Sequence, residues 1–309
     1  MQTSENEPVW PFGRILFASD FSAASHAAFH VALRVCTAFE ASLTILHVFE
    51  YPKAIASEQR DQILGVGSFK KDALRSLEKL REASRQAGVR CEMTMVSGIP
   101  SRTILKALSS NKNDLVVLGT SNPRGFERIV FGSTAEAILR EASCPVLTVG
   151  PRVTDRAMPN QQRSPVVFAT DFHHTTTHAI RYAAAFCKAT QSPLHCLHVL
   201  PQGLESGSPT QLVPQIMTEA LRHVATENKS AVADSIFTIA YGNDVAKTVS
   251  EYARQHGAWL IVLGIQRAPI LTSHLPDHIT YRVIAEAPCS VLTIAFASKS
   301  HPIQAATCL

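Results

Sequence analysis

The stretch Arg14-Ile-Leu-Phe-Ala-Ser-Asp20-Phe-Ser22 returns 151 positions later as Pro165-Val-Val-Phe-Ala-Thr-Asp171-Phe-His173. Leu46-His47-Val48 and Leu197-His198-Val199 match at the same offset. Further along, Leu115-Val-Val-Leu-Gly119 matches Leu260-Ile-Val-Leu-Gly264, and Cys144-Pro-Val-Leu-Thr-Val149 matches Cys289-Ser-Val-Leu-Thr-Ile294, both now 145 positions apart. Four matches in the same order, with one small change of length between them, define an internal duplication. A chain of 309 residues suits two domains of about 150 residues each. Their predicted extents are 1–152 and 153–309, joined by a linker over about 151–164 (PRVTDRAMPNQQRS) with no apolar period.

Within each copy, short β-branched apolar runs alternate with longer stretches of helical periodicity. In the first copy the pattern predicts strands near 14–19, 42–49, 90–97, 114–119 and 145–149, and helices near 23–39, 59–87, 101–110 and 133–142. Apolar runs without polar alternation suit parallel strands covered on both faces, and the helices between them supply the crossovers. The fold class is therefore α/β: two tandem five-stranded, doubly wound, Rossmann-like parallel sheets with right-handed crossovers.

Composition narrows the function classes. The net charge of +4, from 29 basic and 25 acidic residues, is mild, and no basic run suggests a nucleic-acid face. Apolar runs such as Leu115–Leu118 are strand-sized, far short of the ~20 residues of a membrane helix. The polar start, MQTSENEPVW, reads as neither signal nor transit peptide. Seven cysteines without C-x-x-C spacing disfavour zinc ribbons and disulfide frameworks. A reduced, cytoplasmic protein is the expectation.

Open α/β sheets bind ligands beyond the carboxyl ends of their strands, where the strand order reverses. Two segments of the first copy fall there: Asp20-Phe-Ser22 after strand one, and the loop from Gly119 to Glu136 after strand four. Gly132-Ser133-Thr134 opens a helix whose free N–H groups and dipole attract anions, with Arg124 and Arg128 of the same loop as countercharge. The same residues admit a ligand-free reading, because Ser133-x-x-Glu136 fits a capping box and Asp20 fits a loop brace.

These features resemble the universal stress protein family over roughly 14–150 and 165–296: the strand ending Ala-Ser-Asp20-Phe-Ser, Leu-His47-Val48 closing strand two, and the run from Leu-Gly119 through Gly132-Ser133 to Cys144-Pro-Val-Leu-Thr-Val. Nucleotide-binding members carry G-x2-G-x9-G-(S/T) in the fourth loop. Gly119, Gly132 and Ser133 keep that spacing, and Asn122 stands at the middle glycine, where Asn tolerates positive φ better than most residues. The resemblance implies that Asp20 and Val48 border adenine and ribose, that Gly119 and Asn122 line the phosphate loop, and that Gly132, Ser133 and Thr134 hold phosphate oxygens. Ala18, Ser19, Ser121 and Arg124 complete the predicted set. The implied ligand is ATP or a related adenine nucleotide, with any Mg²⁺ held by phosphates and water. In the second copy Arg267, Ile270 and Asp277-His278 replace Asn122, Gly125 and Gly132-Ser133, and the Asp277 carboxylate would occupy a phosphate's place. Asp171 and Val199 remain, which reads as a non-binding partner domain.

Other constellations carry less. His26/His30 and His174/His178 have i, i+4 spacing on predicted helices, but neither pair recurs in the other copy and no H-E-x-x-H motif is present. His47 and His198 do recur and read as satisfied structural imidazoles. Cys36/Cys187 and Cys144/Cys289 correspond by repeat and read as core residues. P-loop, G-x-S-x-G and G-x-G-x-x-G motifs are missing, and no residue pair is set to activate water, so any hydrolysis would be slow. Two functions remain open: a nucleotide-binding stress-response regulator acting on an unknown protein partner, or a ligand-free scaffold with both pockets vestigial. The runs Val146–Val149 and Val291–Ile294 would be apolar edge strands, and the resemblance implies that they pair about a pseudo-two-fold axis, one chain imitating a dimer. Homodimerisation of the whole chain stays open.

Overall fold

A computed structural model describes residues 12–50, 66–120, 132–153, 164–173, 177–203, 212–227, 234–266 and 279–296. The first repeat runs β1 (Arg14–Ser19), α1 (Ala23–Phe39), β2 (Ser42–Phe49), α2 (Val66–Gln86), β3 (Cys91–Ser97), α3 (Pro100–Ser110), β4 (Leu115–Gly119), α4 (Ser133–Glu141) and β5 (Val146–Val149). The second runs β6 (Val166–Ala169), a 3-10 turn (Thr177–Ala179), α5 (Ile180–Thr190), β7 (Leu194–Leu200), α6 (Leu212–Glu227), β8 (Ile236–Tyr241), α7 (Val245–Gln255), β9 (Leu260–Gln266), α8 (Ile279–Glu286) and β10 (Ser290–Phe296). Every strand expected in the first copy is present within a residue. The helix expected over 59–87 is described from Val66, its first part lying outside the described residues.

The two sheets are not separate. All ten strands form one sheet in the order β3-β2-β1-β4-β5-β10-β9-β6-β7-β8. Pairing is parallel within each half and antiparallel at the single β5–β10 seam, where Val291, Leu292 and Thr293 face Thr148, Leu147 and Val146. All four β5 residues are buried, so an unpaired edge there would expose apolar backbone to solvent. Two hydroxyls fasten the seam symmetrically: Thr148 Oγ1 donates to the Val291 carbonyl at 3.1 Å and Thr293 Oγ1 to that of Val146 at 3.2 Å.

Side chains alternate across each strand, so the sheet has a core on either face. Ile15 and Phe17 of β1 belong to one core, shared with residues of α1, α2, α5 and α6, and Leu16 belongs to the other, shared with residues of α3, α4, α7 and α8. Both cores draw residues from both repeats. On the first face Phe186 joins the halves, its ring centroid 5.5 Å from Phe12, 4.9 Å from Phe39 and 5.7 Å from Trp259. Beyond β5, Gly150 lies so close to α8 that a Cβ would sit 2.5 Å from the Ile284 carbonyl, and Arg152 Nη1 donates to the Glu286 carbonyl at 3.3 Å.

Phe186→Ala should therefore destabilise the whole chain by about 3–5 kcal/mol. Urea unfolding followed by far-UV circular dichroism should show one transition moved to lower denaturant. Two resolved transitions would contradict a shared core.

Candidate functional site

The turn from β1 into α1 is built the same way in both repeats. Phe21 and Phe172 occupy the left-handed region (φ 60° and 61°), a costly conformation for a bulky residue. Local bonds hold it. Asp20 Oδ1 accepts from Ser22 N at 2.9 Å and Ser19 Oγ from Phe21 N at 3.3 Å; Asp171 Oδ1 and Thr170 Oγ1 do the same for His173 N and Phe172 N, both at 3.0 Å. His47 Nδ1 donates to the Ser19 carbonyl at 2.8 Å with its ring 4.4 Å from that of Phe21, and His198 repeats this with Thr170 at 2.8 Å and Phe172 at 4.6 Å. The recurrent histidines are thus structural braces. Asp20 braces its loop through one oxygen, as the ligand-free reading held, and still borders the space beyond the strand ends.

That space is a cavity of about 310 Å³ at the carboxyl ends of β1, β2 and β4, where the strand order reverses. Predicted residues Ala18, Ser19, Asp20, Val48, Gly119, Gly132, Ser133 and Thr134 all line it. Ser121, Asn122, Arg124 and Arg128 lie outside the described residues. Ser25, Leu46, Pro100, Ile104, Leu118, Thr120 and Ala135 also line the cavity, and the sequence reading did not single them out. Of these, Pro100 at the first position of a helix following β3 was the signal available.

The two glycines of the loop differ in what they do. A Cβ on Gly119 would lie 2.4 Å from the Ala24 backbone, so this glycine lets β4 approach the start of α1. Among the described residues a Cβ on Gly132 would meet nothing within 4 Å, and its φ of −62° suits any residue. The capping box is not formed. Gly132 is the N-cap of α4, Ser133 is already its first helical residue, and no side chain among the described residues caps it. The first N–H groups of α4 thus open beside the cavity, with the partial positive charge of a helix start.

The second half is arranged differently at the matching helix starts. Asp244, at the place of Ile99, caps α7 by accepting from Lys247 N at 3.1 Å, and its other oxygen lies 2.5 Å from Arg282 Nη2 on α8. The Arg282 guanidinium holds the Asp244 carboxyl below its usual range. An internal ion pair thus ties α7 to α8, whereas the matching positions of the first half carry the uncharged Ile99 and Ala137. Asp277 and His278 lie outside the described residues.

His26 and His30 are exposed on α1; His178 lies on the 3-10 turn rather than on the expected helix, and His174 is outside the described residues. Among the described residues no group of three or more His, Cys, Asp or Glu is placed to hold a metal. Burial raises the thiols, Cys36 to about 12 and Cys144 to about 11, so they are poor nucleophiles at neutral pH. No helix among the described residues is long and apolar enough to cross a membrane.

Two outcomes follow from this geometry. Gly119→Ala should lower the melting temperature without any ligand present, by roughly 1–3 kcal/mol of stability, because backbone must move to admit the methyl group. An unchanged melting curve would place Gly119 among ligand contacts instead. The second concerns His195, buried on β7 with Nδ1 3.0 Å from the Tyr252 hydroxyl and held down to about 4 by burial and by His256. Between pH 6.5 and 4 the unfolded chain binds the extra proton, so this contribution is complete above pH 6.5 and lost on acidification. Denaturant midpoints compared at pH 7.5 and 4.5 should fall less in His195→Phe than in the wild type.

Comparison with known proteins agrees with the architecture. A universal stress protein of Methanocaldococcus jannaschii is 27% identical over 139 residues, 45% of this chain and 82% of that protein. A putative universal stress protein of Staphylococcus aureus is 34% identical over 140 residues, 45% of this chain and 84% of that protein. The crystal structure of a universal stress protein from Archaeoglobus fulgidus shares the fold, with a TM-score of 0.70 at 20% identity, covering 91% of this chain and 98% of that one. The universal stress protein family model matches residues 11–150 and again 163–295, so the chain belongs to that family, twice over in one polypeptide.

Proposed function

We propose that the first repeat binds an adenine nucleotide, ATP foremost, and that the second repeat is its non-binding partner, the whole acting as a stress-response regulator. The observation that carries this reading is the cavity over the open N-terminus of α4, bordered by Gly132 with free space where a side chain would stand. Its volume of about 310 Å³ falls at the lower end of small-ligand sites, ~300–1,000 Å³. Leu46, Val48, Ile104 and Leu118 offer apolar walls to a base, and the N–H groups at Gly132–Thr134 suit phosphate oxygens. Ser121, Asn122 and Arg124 would complete the phosphate side. Asp20 is the one carboxylate among the described lining residues, so an accompanying Mg²⁺ would be held chiefly by phosphates and water. Asp277-His278 in the second half, at the positions of Gly132-Ser133, supports a division of labour between the repeats.

Thermal melts with ATP, ADP and cAMP test the reading. At a hundredfold excess over Kd a bound nucleotide adds ~2.7 kcal/mol, raising the melting temperature by several degrees. Gly132→Asp, which imitates Asp277, should abolish the shift while leaving the ligand-free melting temperature within about a degree, since the fold leaves room for that side chain. No shift with any of the three nucleotides, and none released on denaturing the purified protein, would leave the ligand-free scaffold.

A further inference from the structure

Two buried hydroxyls lie side by side in the cavity lining. Ser19, at the end of β1, and Ser25, in the first turn of α1, are 7% and 3% exposed, and their Oγ atoms are 2.8 Å apart. Ser19 Oγ also accepts from Phe21 N at 3.3 Å. Each hydroxyl owns one hydrogen. A single hydrogen makes the bond between them, whichever residue donates it, and among the described residues no other acceptor lies within reach of either oxygen. Among the described residues the pair therefore always retains one O–H without an acceptor. Thr120, beside them in the lining, is different: its hydroxyl donates to the Val149 carbonyl at 3.4 Å.

A buried donor without an acceptor costs about 1–3 kcal/mol, and a ligand atom that accepts from it removes that cost. We infer that the Ser19–Ser25 pair is a specificity determinant of the first repeat, donating one hydrogen bond to an acceptor atom of the bound nucleotide. The inference rests on the nucleotide reading and deepens it: the ligand must bring an acceptor, a ring nitrogen or an oxygen, to the gap between β1 and the first turn of α1. A ligand presenting only a methyl group there leaves the spare hydrogen without an acceptor and gains nothing from the pair. Leu46 and Leu118, register partners of Ala18 on either side of β1, lie next to this polar spot, so it is set against an apolar surround.

The test is isothermal titration of ATP, and of adenosine in parallel, into the wild type and into Ser19→Ala/Ser25→Ala. Removing both hydroxyls leaves neither unsatisfied but takes the acceptor from Phe21 N, so the melting temperature without ligand should fall by several degrees in a variant that still folds. ATP affinity should fall roughly threefold to tenfold, the loss of one hydrogen bond. A matching loss for adenosine places the acceptor on the nucleoside, and a loss for ATP alone places it on a phosphate; either bears out the donor role. Should the double variant not fold, Ser19→Cys/Ser25→Ala, which removes both hydroxyls and keeps a weak sulfur acceptor for Phe21 N, must weaken ATP in the same way. Unchanged ATP affinity in a folded variant overturns the inference while leaving nucleotide binding intact. A wild type that binds no nucleotide overturns both.

Discussion

The antiparallel pairing of β5 with β10 is the contact on which the molecule depends. Parallel sheets need cover on both faces, and a five-stranded sheet of this type ends on one side in a short apolar strand. Here that strand in each repeat covers the other, so the helices on each face pack against a surface ten strands wide. Both hydrophobic cores consequently cross the seam, and the aromatic contacts of Phe186 with Phe12 and Phe39 lie within one core rather than between two bodies. The open edges of the sheet are moved outward to β3 and β8. β3 alternates half-buried and exposed residues over Cys91–Val96 apart from one step, and carries Glu92 outward, a charged edge that discourages further pairing.

Duplication supplies an internal control for separating what the fold requires from what a ligand would require. A packing constraint must recur in both copies. Phe21 and Phe172 share the left-handed conformation, Glu40 and Gln191 share it at the ends of α1 and α5, and His47 and His198 make the same carbonyl bond. Gly119 has its counterpart in Gly264, in keeping with the close approach of β4 to α1. Gly132 behaves oppositely: among the described residues no neighbour demands the missing side chain, and the other copy carries Asp277 in its place.

The strands were legible because buried parallel strands are nearly continuous apolar runs, and Arg14–Ser19 and Leu115–Gly119 carry little that competes with that pattern. The seam was implied by the family resemblance together with two matched apolar strands at sheet edges, Val146–Val149 and Val291–Ile294. What the sequence did not convey was one-residue phase and three-dimensional neighbourhood. Ser133-x-x-Glu136 has the spacing of a capping box, yet the helix begins one residue earlier than that motif needs, and Gly132 takes the cap. His178 has helical spacing from His174, yet it sits in a tighter 3-10 turn before α5. Pro100 and Ile104 of α3 and Ser25 of α1 reach the cavity only because both helices start at the same end of the sheet, which no local motif encodes. The joining of two five-stranded sheets into one is likewise a property of the pairing, invisible to a reading of either copy alone.

The cavity is physically connected to the second repeat. α4 starts at the cavity lip, and one turn on, Glu136 and Arg140 act electrostatically on the phenol of Tyr281 in α8, raising and lowering its pKa respectively against a larger upward push from burial. α8 in turn ends against Gly150 and Arg152, the residues that leave β5. Thr120, in the cavity lining, bonds through both its amide and its hydroxyl to the carbonyl of Val149 at the end of β5. Two short routes, one through α4 and α8 and one through β4 and β5, thus run from the cavity to the seam. Close-packed elements do not deform independently, so an occupant that repositions the start of α4 also bears on α8. The second repeat thus lies within two packed elements of the cavity on either route, while its own α7 and α8 are tied together by Asp244 and Arg282.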